Sequence, residues 1–229
     1  MAAQTETAPI AAAPARPALA IFRQALRNPG VILGGAILSI MIFVALFAPF
    51  LGTVDPVHLD PLSRLKKPFT DWFLGTDAFG RDIYSRIIYG ARISLIVGIG
   101  AAVLSIAIGL FVGLISGYFR VIDAIVMRIM DGLMAIPGIL LAIALVSLSG
   151  ASLTTVMVAI TIPEIPRVVR LVRSVVLSIR EEPYVEAAIS IGTPLPLILI
   201  RHVMPNTFAP LIVQVTYICA SAMLTEAIL

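Results

Sequence analysis

The sequence predicts an all-α integral membrane protein, and its composition and long charge-free runs carry that prediction. Of its 229 residues, 59% are hydrophobic and only 13% are charged. A soluble domain carries about 25% charged residues, so this chain lacks the polar side chains that would cover a globule in water. Several runs are long enough to cross a bilayer core as a helix of about 20 residues. These runs therefore have lipid as their solvent.

The positions of the apolar runs predict five membrane-spanning helices. The first occupies residues 29–51, since no formal charge stands between Arg27 and Asp55. The others cover residues 93–119, a third stretch that ends near Leu148, residues 153–177 and residues 207–229. An Ala/Pro-rich stretch, residues 1–28, predicts a disordered cytoplasmic tail. Residues 52–92 form a predicted external loop, and residues 93–229 form the core, which includes a cytoplasmic loop at 180–206.

The basic residues predict the orientation in the membrane and exclude a nucleic-acid partner. They stand at the edges of apolar runs rather than in a continuous stripe, which is typical of the excess of Lys and Arg on the cytoplasmic side. Loop 52–92 has six basic residues and weakens this rule, although five acids accompany them. The N-terminus is predicted to be cytoplasmic, on the same side as Arg120, Arg167, Arg170, Arg173, Arg180 and Arg201.

Two local patterns predict how the helices pack and bend. Gly109, Gly113 and Gly117 recur every four residues, which places them on one helix face where a neighbouring helix can approach closely. Pro137 and Gly138 predict a kink in the third span.

Four charged residues at membrane depth are candidates for ion pairs. Arg128 and Asp131 are three residues apart and can pair on one helix face, although snorkelling to the interface explains them equally well. Glu164 either lines a pathway or pairs with Arg167, and pairing is the favoured interpretation. Charges in such places usually face the protein interior or an aqueous cavity.

The segment after the fourth span predicts a helix-turn-helix on the cytoplasmic face. Acids and Pro183 open its first helix, and Gly192 ends it in the left-handed conformation. Thr193 then caps a second helix that has Pro194 at its first position. Tyr184, Ala187, Ala188 and Ile191 fall on one face of the first helix. Such a surface suits docking into a groove on a soluble partner.

At these residues the chain resembles the permeases of ATP-binding-cassette importers. Glu186-Ala187-Ala188, the following Gly192 and the later Met204-Pro205 match the spacing of the family's "EAA" loop. The resemblance implies a type I importer transmembrane domain, in which this loop couples the permease to its ATPases. The implied coupling residues are Glu182, Tyr184, Glu186, Ala187, Ala188, Gly192, Arg201, His202 and Pro205.

A second motif resembles the external-loop signature of the second ("C-type") permease of dipeptide, oligopeptide, nickel and glutathione importers. Its residues are Gly75, Thr76, Asp77, Gly80, Arg81, Asp82, Ser85 and Arg86. In two places the chain departs from the family: Ile162-Pro163 replaces a usual Trp-Pro, and Pro166 replaces a small residue. The family continues into a sixth span, so a further span is expected beyond Leu229 and the sequence is expected to be a truncated chain.

The resemblance implies a set of partners and a location. The partners are a second homologous permease, two cytoplasmic ATP-binding subunits that hold ATP and Mg, a substrate-binding protein, a peptide substrate and the lipid bilayer. The location is the bacterial inner membrane. This chain has no phosphate-binding Gly-rich Lys-Ser/Thr loop, so we expect it to be no enzyme by itself and to hold no cofactor or metal.

The expected function is ATP-driven import of di- or oligopeptides. Nickel chelates and glutathione are alternative cargoes for the same machinery. An ion-driven secondary transporter is a remote alternative, because charges crowd the span ends and no convincing repeat is present. Loop 52–92 is expected to contact the substrate-binding protein or to gate the outer mouth.

Overall fold

The computed structural model describes residues 27–69 and 71–229, and the regular structure in these residues is helical. Only the last two residues of the predicted tail, 1–28, are among the described residues. Eight α-helices are named here in chain order: α1 Pro29–Phe47, α2 Ile83–Tyr118, α3 Arg120–Met134, α4 Gly138–Ser149, α5 Leu153–Ile179, α6 Pro183–Ser190, α7 Leu195–Ile198 and α8 Met204–Glu226. Short 3-10 turns lie at Ala48–Phe50 and Pro61–Ser63, and the π-helical turn Leu199–Val203 joins α7 to α8.

The membrane-protein fold class is confirmed, but the predicted count of five spans is higher than the number of apolar helices that meet the criteria for a span in the described residues. Within the described residues, three runs are long and apolar enough to cross a bilayer: Pro29–Phe50, Ile83–Tyr118 and Leu195–Glu226. A fourth arises only if α3 and α4 count as one span bent by 85°. Helix α5 has 27 residues and matches the predicted fourth span in length, but its charged residues keep it out of this set.

The break between α3 and α4 lies at the predicted kink. Pro137 precedes α4 as its N-cap residue, and Gly138 is the first helical residue. The ring of Pro137 cannot continue the hydrogen-bonding pattern of α3. The predicted kink is therefore a near-perpendicular change of direction rather than a gentle bend.

Helix α2 begins ten residues earlier than the predicted second span, so the last ten residues of the predicted loop 52–92 are helical. Asp82 is the N-cap, and its carboxylate accepts hydrogen bonds from the backbone N–H groups of Tyr84 and Ser85. The sequence pattern missed this start because charged Arg86 and Arg92 end the apolar run. At 36 residues, α2 is about 54 Å long, well beyond a hydrocarbon core of about 30 Å.

Helices α2 and α5 pack along the predicted glycine face. Gly109, Gly113 and Gly117 lie against Val168, Val172 and Val176 in that order. A methyl group at Gly113 would lie only 2.7 Å from the Cβ of Val172, and one at Gly117 only 2.7 Å from the Cβ of Val176. The predicted close approach is confirmed, and its partner is the valine row of α5.

The main core extends from this seam into the predicted cytoplasmic loop. Val168, Val172 and Val176 are fully buried and share one cluster with residues of α8. Val185 of α6, Ile198 of α7 and Val203 of the π-helical turn belong to the same cluster: the whole set is Ala102, Val168, Val172, Val176, Val185, Ile198, Val203, Leu211 and Ile218. The segment after α5 is therefore part of the packed core.

Candidate functional site

Helix α6 presents one side to the core and the other to its surroundings. Val185 is fully buried and Ala188 is 6% exposed, whereas Tyr184, Glu186 and Ala187 are exposed. The prediction that Ala188 shares the outer face with Tyr184 and Ala187 was wrong. The spacing fits one face loosely, but the burial of Val185 rotates the helix so that Ala188 turns inward.

Gly192 ends α6 as predicted. Its φ of +77° lies in the left-handed region that glycine adopts without a side-chain penalty. The N–H of Gly192 donates to the carbonyl of Ile189 at 2.9 Å, and the N–H of Thr193 donates to Ala188 at 3.1 Å. These two bonds form a Schellman motif, which satisfies carbonyls that the helix end leaves open.

The predicted start of the second helix was wrong by one residue. Pro194, rather than Thr193, is the N-cap of α7, and no side chain caps it. Thr193 is still held to α6 by its backbone bond to Ala188, so the helix begins only at Leu195. The helix then continues through the π-helical turn into α8, so the predicted helix-turn-helix is one short helix docked on the base of a long one.

The π-helical turn stands directly before Pro205, the second residue of α8. In a regular α-helix the proline ring would clash with the carbonyl of Arg201 four residues earlier. A π-helical turn places an extra residue there, and the N–H of Met204 reaches back to the carbonyl of Leu199. The chain therefore passes Pro205 without a break.

Three polar side chains fasten α6 to the base of α8. The rings of Tyr184 and His202 lie 6.2 Å apart between centroids. The side-chain amide of Asn206 donates to the carbonyl of His202 at 2.7 Å and to the Tyr184 hydroxyl at 3.3 Å. The structure thus brings together two predicted coupling residues that are 18 positions apart in the sequence.

The outer side of this segment is apolar with a charged rim, and we name it the coupling surface after the role that the sequence predicts for it. Ile191 is 83% exposed, and further large apolar side chains of the same segment are exposed as well. Glu182, Glu186 and Arg201 of this segment are also exposed. Exposed apolar patches rimmed by polar residues are typical of protein–protein contacts. The apolar members are Tyr184, Ile189, Ile191, Leu197 and Ile200.

The predicted external-loop signature gathers around the carboxylate of Asp77. This carboxylate accepts hydrogen bonds from the backbone N–H groups of Phe79 and Arg81, at 2.8 and 3.0 Å. The guanidinium groups of Arg81 and Arg86 lie at 2.7 and 2.5 Å from it. Burial opposes ionisation of Asp77, but these donors outweigh it and hold its pKa well below the usual value.

The other signature residues join this turn to α2. Ser85 donates to Asp82 and accepts from the N–H of Val54 at 2.8 Å. The Thr76 hydroxyl accepts from the N–H of Lys66 at 2.9 Å, and the backbone of Thr76 forms an antiparallel β-bridge with that of Asp82. Gly75 and Gly80 have φ values of +80° and +77°. All eight residues therefore form one folded block, which we name the outer block after its predicted external position. Most of these residues stabilise the conformation of the block.

The charged residues at membrane depth pair differently from the prediction in one of two cases. Glu164 and Arg167 pair at 2.8 Å, as predicted. Asp131 pairs with Arg170 of α5 at 2.5 Å, and among the described residues Arg128 has no ion pair. The Arg128–Asp131 pairing was therefore wrong, because the crossing of α3 over α5 offers Asp131 a closer cation.

Two cross-helix contacts were missed from the sequence. Both oxygens of Asp123 accept hydrogen bonds from the guanidinium of Arg173, which ties the start of α3 to α5. Ser94 of α2 donates to Glu226 of α8 at 2.9 Å. The row Arg167, Arg170 and Arg173 was a usable signal for the Asp123–Arg173 contact, since a row of cations on one helix face favours acidic side chains on the neighbouring helix.

Comparison with known protein families decides what kind of membrane protein this is. Residues 105–229 match the family described as the inner membrane component of binding-protein-dependent transport systems. This chain belongs to that family. Residues 18–68 match the N-terminal transmembrane domain of oligopeptide transport permease C. The permease is therefore a multi-pass membrane component of an ATP-binding-cassette importer.

Individual relatives agree with this membership. The permease is 52% identical over 207 residues to a probable peptide ABC transporter permease of Sinorhizobium fredii, covering 90% of this chain and 71% of the relative. It is 43% identical over 209 residues to a dipeptide transport system permease protein of Alkalihalophilus pseudofirmus (91% and 69%). It is 37% identical over 208 residues to a glutathione transport system permease protein of Pectobacterium atrosepticum (90% and 69%).

Proposed function

We propose that this permease imports di- or oligopeptides and that its coupling surface transmits the movement of partner ATPases. The observation that carries the coupling proposal is the way the segment is anchored. Val185, Ile198 and Val203 are buried in the same cluster as Val172 and Val176 of α5, while the other side of the segment is exposed and apolar. A segment packed in this way moves with the helices to which it is joined.

Rigid transmission follows from close packing. Packed interiors resist compression, so a force applied at Ile191 or Tyr184 reaches α5 and α8 with little loss. Hinge and rigid-body movements of packed elements are a common way to switch between two states. Closure of two ATPases on ATP would thus rock the permease between inward-facing and outward-facing states.

The partners in this proposal are a second permease, two ATP-binding subunits that hold ATP and Mg, and a substrate-binding protein. The coupling surface lies at the Tyr118 end of α2, because Gly117 packs on Val176 and Val176 shares a cluster with Val185. The outer block lies at the opposite end of α2, around its first residue Ile83. This separation supports a cytoplasmic coupling surface, a cytoplasmic N-terminus and an external block that meets the binding protein.

The proposal of a peptide cargo rests on the names of relatives, because two of the three relatives described above are named as peptide or dipeptide permeases. A relative at 37% identity is named for glutathione, which is itself a small peptide. Nickel chelates remain an alternative cargo for the same machinery. A transport assay with each cargo and its binding protein decides between them.

The test of coupling uses the complete importer in proteoliposomes. Glu186→Arg reverses a charge on the coupling surface and Ile191→Arg adds one, while Ser190→Ala leaves its shape intact. We expect the two arginine variants to lower ATP-driven peptide uptake at least about tenfold and to weaken ATPase co-purification, while the Ser190→Ala control stays within about twofold of the wild type. Uptake and ATPase binding that survive both arginine variants would refute the coupling role.

A further inference from the structure

A cavity of about 330 Å³ lies where the bend between α3 and α4 faces α5 and α8. Its walls include Gly138, Pro163, Glu164, Tyr217 and Ser221. The wall is close-packed at the bend, since a methyl group at Gly138 would lie 3.2 Å from the Cβ of Pro163. Small-molecule sites occupy about 300–1,000 Å³, so this cavity can admit one end of a peptide.

Glu164 supplies an unusual acceptor to this cavity. The residue is 7% exposed, and its Oε1 accepts a hydrogen bond from Arg167 at 2.8 Å. Its Oε2 is buried and has no hydrogen-bond partner among the described residues. A buried carboxylate oxygen without a hydrogen-bond donor is unfavourable. This oxygen can therefore accept a hydrogen bond from a donor that the described residues do not supply, such as a bound ligand.

The guanidinium of Arg167 leaves that oxygen open. It lies 5.9 Å from the centre of the Tyr217 ring, and 45% of its side chain is exposed. Arg167 is thus engaged on one side by Oε1 and on the other by the ring. The ion pair compensates the charge of Glu164 but does not occupy Oε2.

The depth of Glu164 places the acceptor near the middle of the helix. It stands eleven residues after Leu153 and fifteen before Ile179 in α5, about 17 and 23 Å along the axis. An acid at this depth that faces a cavity is typical of a residue on a substrate or ion path.

The opposite polarity is present on another wall. Helix α4 starts at Gly138 with no side-chain cap, and Pro137, Gly138 and Ile139 line the same cavity. The first N–H groups of a helix lack partners inside the helix and carry a partial positive charge. The cavity therefore presents a carboxylate oxygen on one side and a positive helix end on the other.

We propose that this cavity is a cargo subsite in which Glu164 Oε2 accepts a hydrogen bond from the free α-ammonium group of the peptide. The N-terminus of α4 receives a carbonyl or carboxylate oxygen of the same peptide. This proposal rests on the proposed peptide cargo and adds the chemical group that the permease itself recognises. An α-ammonium fits because it carries a positive charge and has three N–H donors, one of which can point at this oxygen.

Cysteine protection in the complete importer tests the subsite directly. Cys219 is replaced by alanine, Ser221 on the cavity wall is replaced by cysteine, and the partner subunits are cysteine-free. The labelling rate of S221C by a maleimide is measured in the presence of a tripeptide with a free N-terminus and of its Nα-acetylated form. We expect the free peptide to slow labelling at least about fivefold and the acetylated peptide to leave it within about twofold.

Variants of the acid complete the experiment. Glu164→Gln should abolish the protection, and Glu164→Asp, which keeps the charge but withdraws it by one methylene, should give intermediate protection. Asp131→Asn removes the exposed pair with Arg170 outside the cavity and should leave protection unchanged. Assembly, checked by subunit stoichiometry, should be the same for all three.

Four outcomes would overturn the proposal. The first two are equal protection by both peptides and protection that persists in E164Q. The third is an S221C that is not labelled in any complex because the second permease covers it. The fourth is loss of assembly in both E164Q and E164D, which would make Glu164 a subunit contact. ATP-dependent peptide uptake by the wild-type importer is measured in parallel. It tests the proposed function separately, so a failed subsite and a failed cargo assignment give different results.

Discussion

Replacing Gly113 by alanine tests the seam between α2 and α5. The added Cβ would lie 2.7 Å from the Cβ of Val172 and 3.0 Å from the backbone carbonyl of Val169. Carbon atoms in contact prefer about 3.5–4.0 Å, so the two helices must separate by on the order of 1 Å. Because one of the opposing atoms belongs to the backbone, a side-chain rotation alone cannot relieve the contact.

Two effects oppose each other in this variant. Alanine is favoured over glycine inside a helix by about 0.5–1 kcal/mol, whereas overpacking costs about 1–3 kcal/mol. The net effect of Gly113→Ala is therefore a destabilisation of the permease by up to about 2.5 kcal/mol. Gly90 lies in the same helix and has no atom within 4 Å of its would-be Cβ, so Gly90→Ala should show only the favourable effect.

The difference between the two variants isolates the packing cost. Helix propensity cancels between them, which leaves about 1–3 kcal/mol, or a factor of about 5 to 140 in the folding equilibrium. Reversible SDS unfolding of the detergent-solubilised chain, followed by circular dichroism, measures both free energies. A Gly113→Ala variant as stable as Gly90→Ala would refute the seam as a tightly packed contact.

Two further substitutions test the outer block and the end of α6. A carboxylate with a lowered pKa stabilises the folded state at every pH above its usual value, and this contribution is lost as the pH falls through the lowered value. The hydrogen-exchange protection factors at residues 75–86 should therefore be constant in the wild type from pH 8 to about 5, and they should be lower at every pH in Asp77→Asn. Equal protection in the two proteins would contradict the role of Asp77. Gly192→Ala places a side chain at φ +77° and should lower the stability of α6 by about 1–2 kcal/mol. Gly192→Asn should be less affected, and hydrogen exchange of the α6 amides measures both variants. Since no atom lies within 4 Å of the added Cβ, a larger loss would point to a contact with another subunit.

Features that depend on spacing along one helix were predictable from the sequence. The glycine face of α2, the left-handed Gly192, the break at Pro137-Gly138 and the Glu164–Arg167 pair each follow from residues within one or two turns. Local geometry fixes such relations because helical residues three or four apart are always neighbours. The two family motifs were likewise contiguous enough to predict membership, which the family match then confirmed.

Features that depend on the rotation of one helix against another were not predictable. The sequence placed Asp131 near Arg128, but the crossing of α3 and α5 gave it Arg170 instead. It placed Ala188 on the outer face, but the burial of Val185 turned it inward. In both cases the spacing along the sequence gave the relative positions of side chains on one helix, but it did not give the rotation of that helix toward the neighbouring helix. The cavity at Glu164 was missed for the same reason, since its walls come from four helices.

The unbroken run through the π-helical turn allows the span Leu195–Glu226 to act as a lever. Leu195–Glu226 is a continuous stretch of 32 residues, about 48 Å long. Tyr217 on the cavity wall stands 22 positions beyond Leu195, about 33 Å along the rod. A tilt of about 10° at the Leu195 end would sweep Tyr217 sideways by about 6 Å, roughly one helical pitch. A small rotation imposed outside the membrane would thus become a displacement large enough to open or close a path for one amino-acid residue.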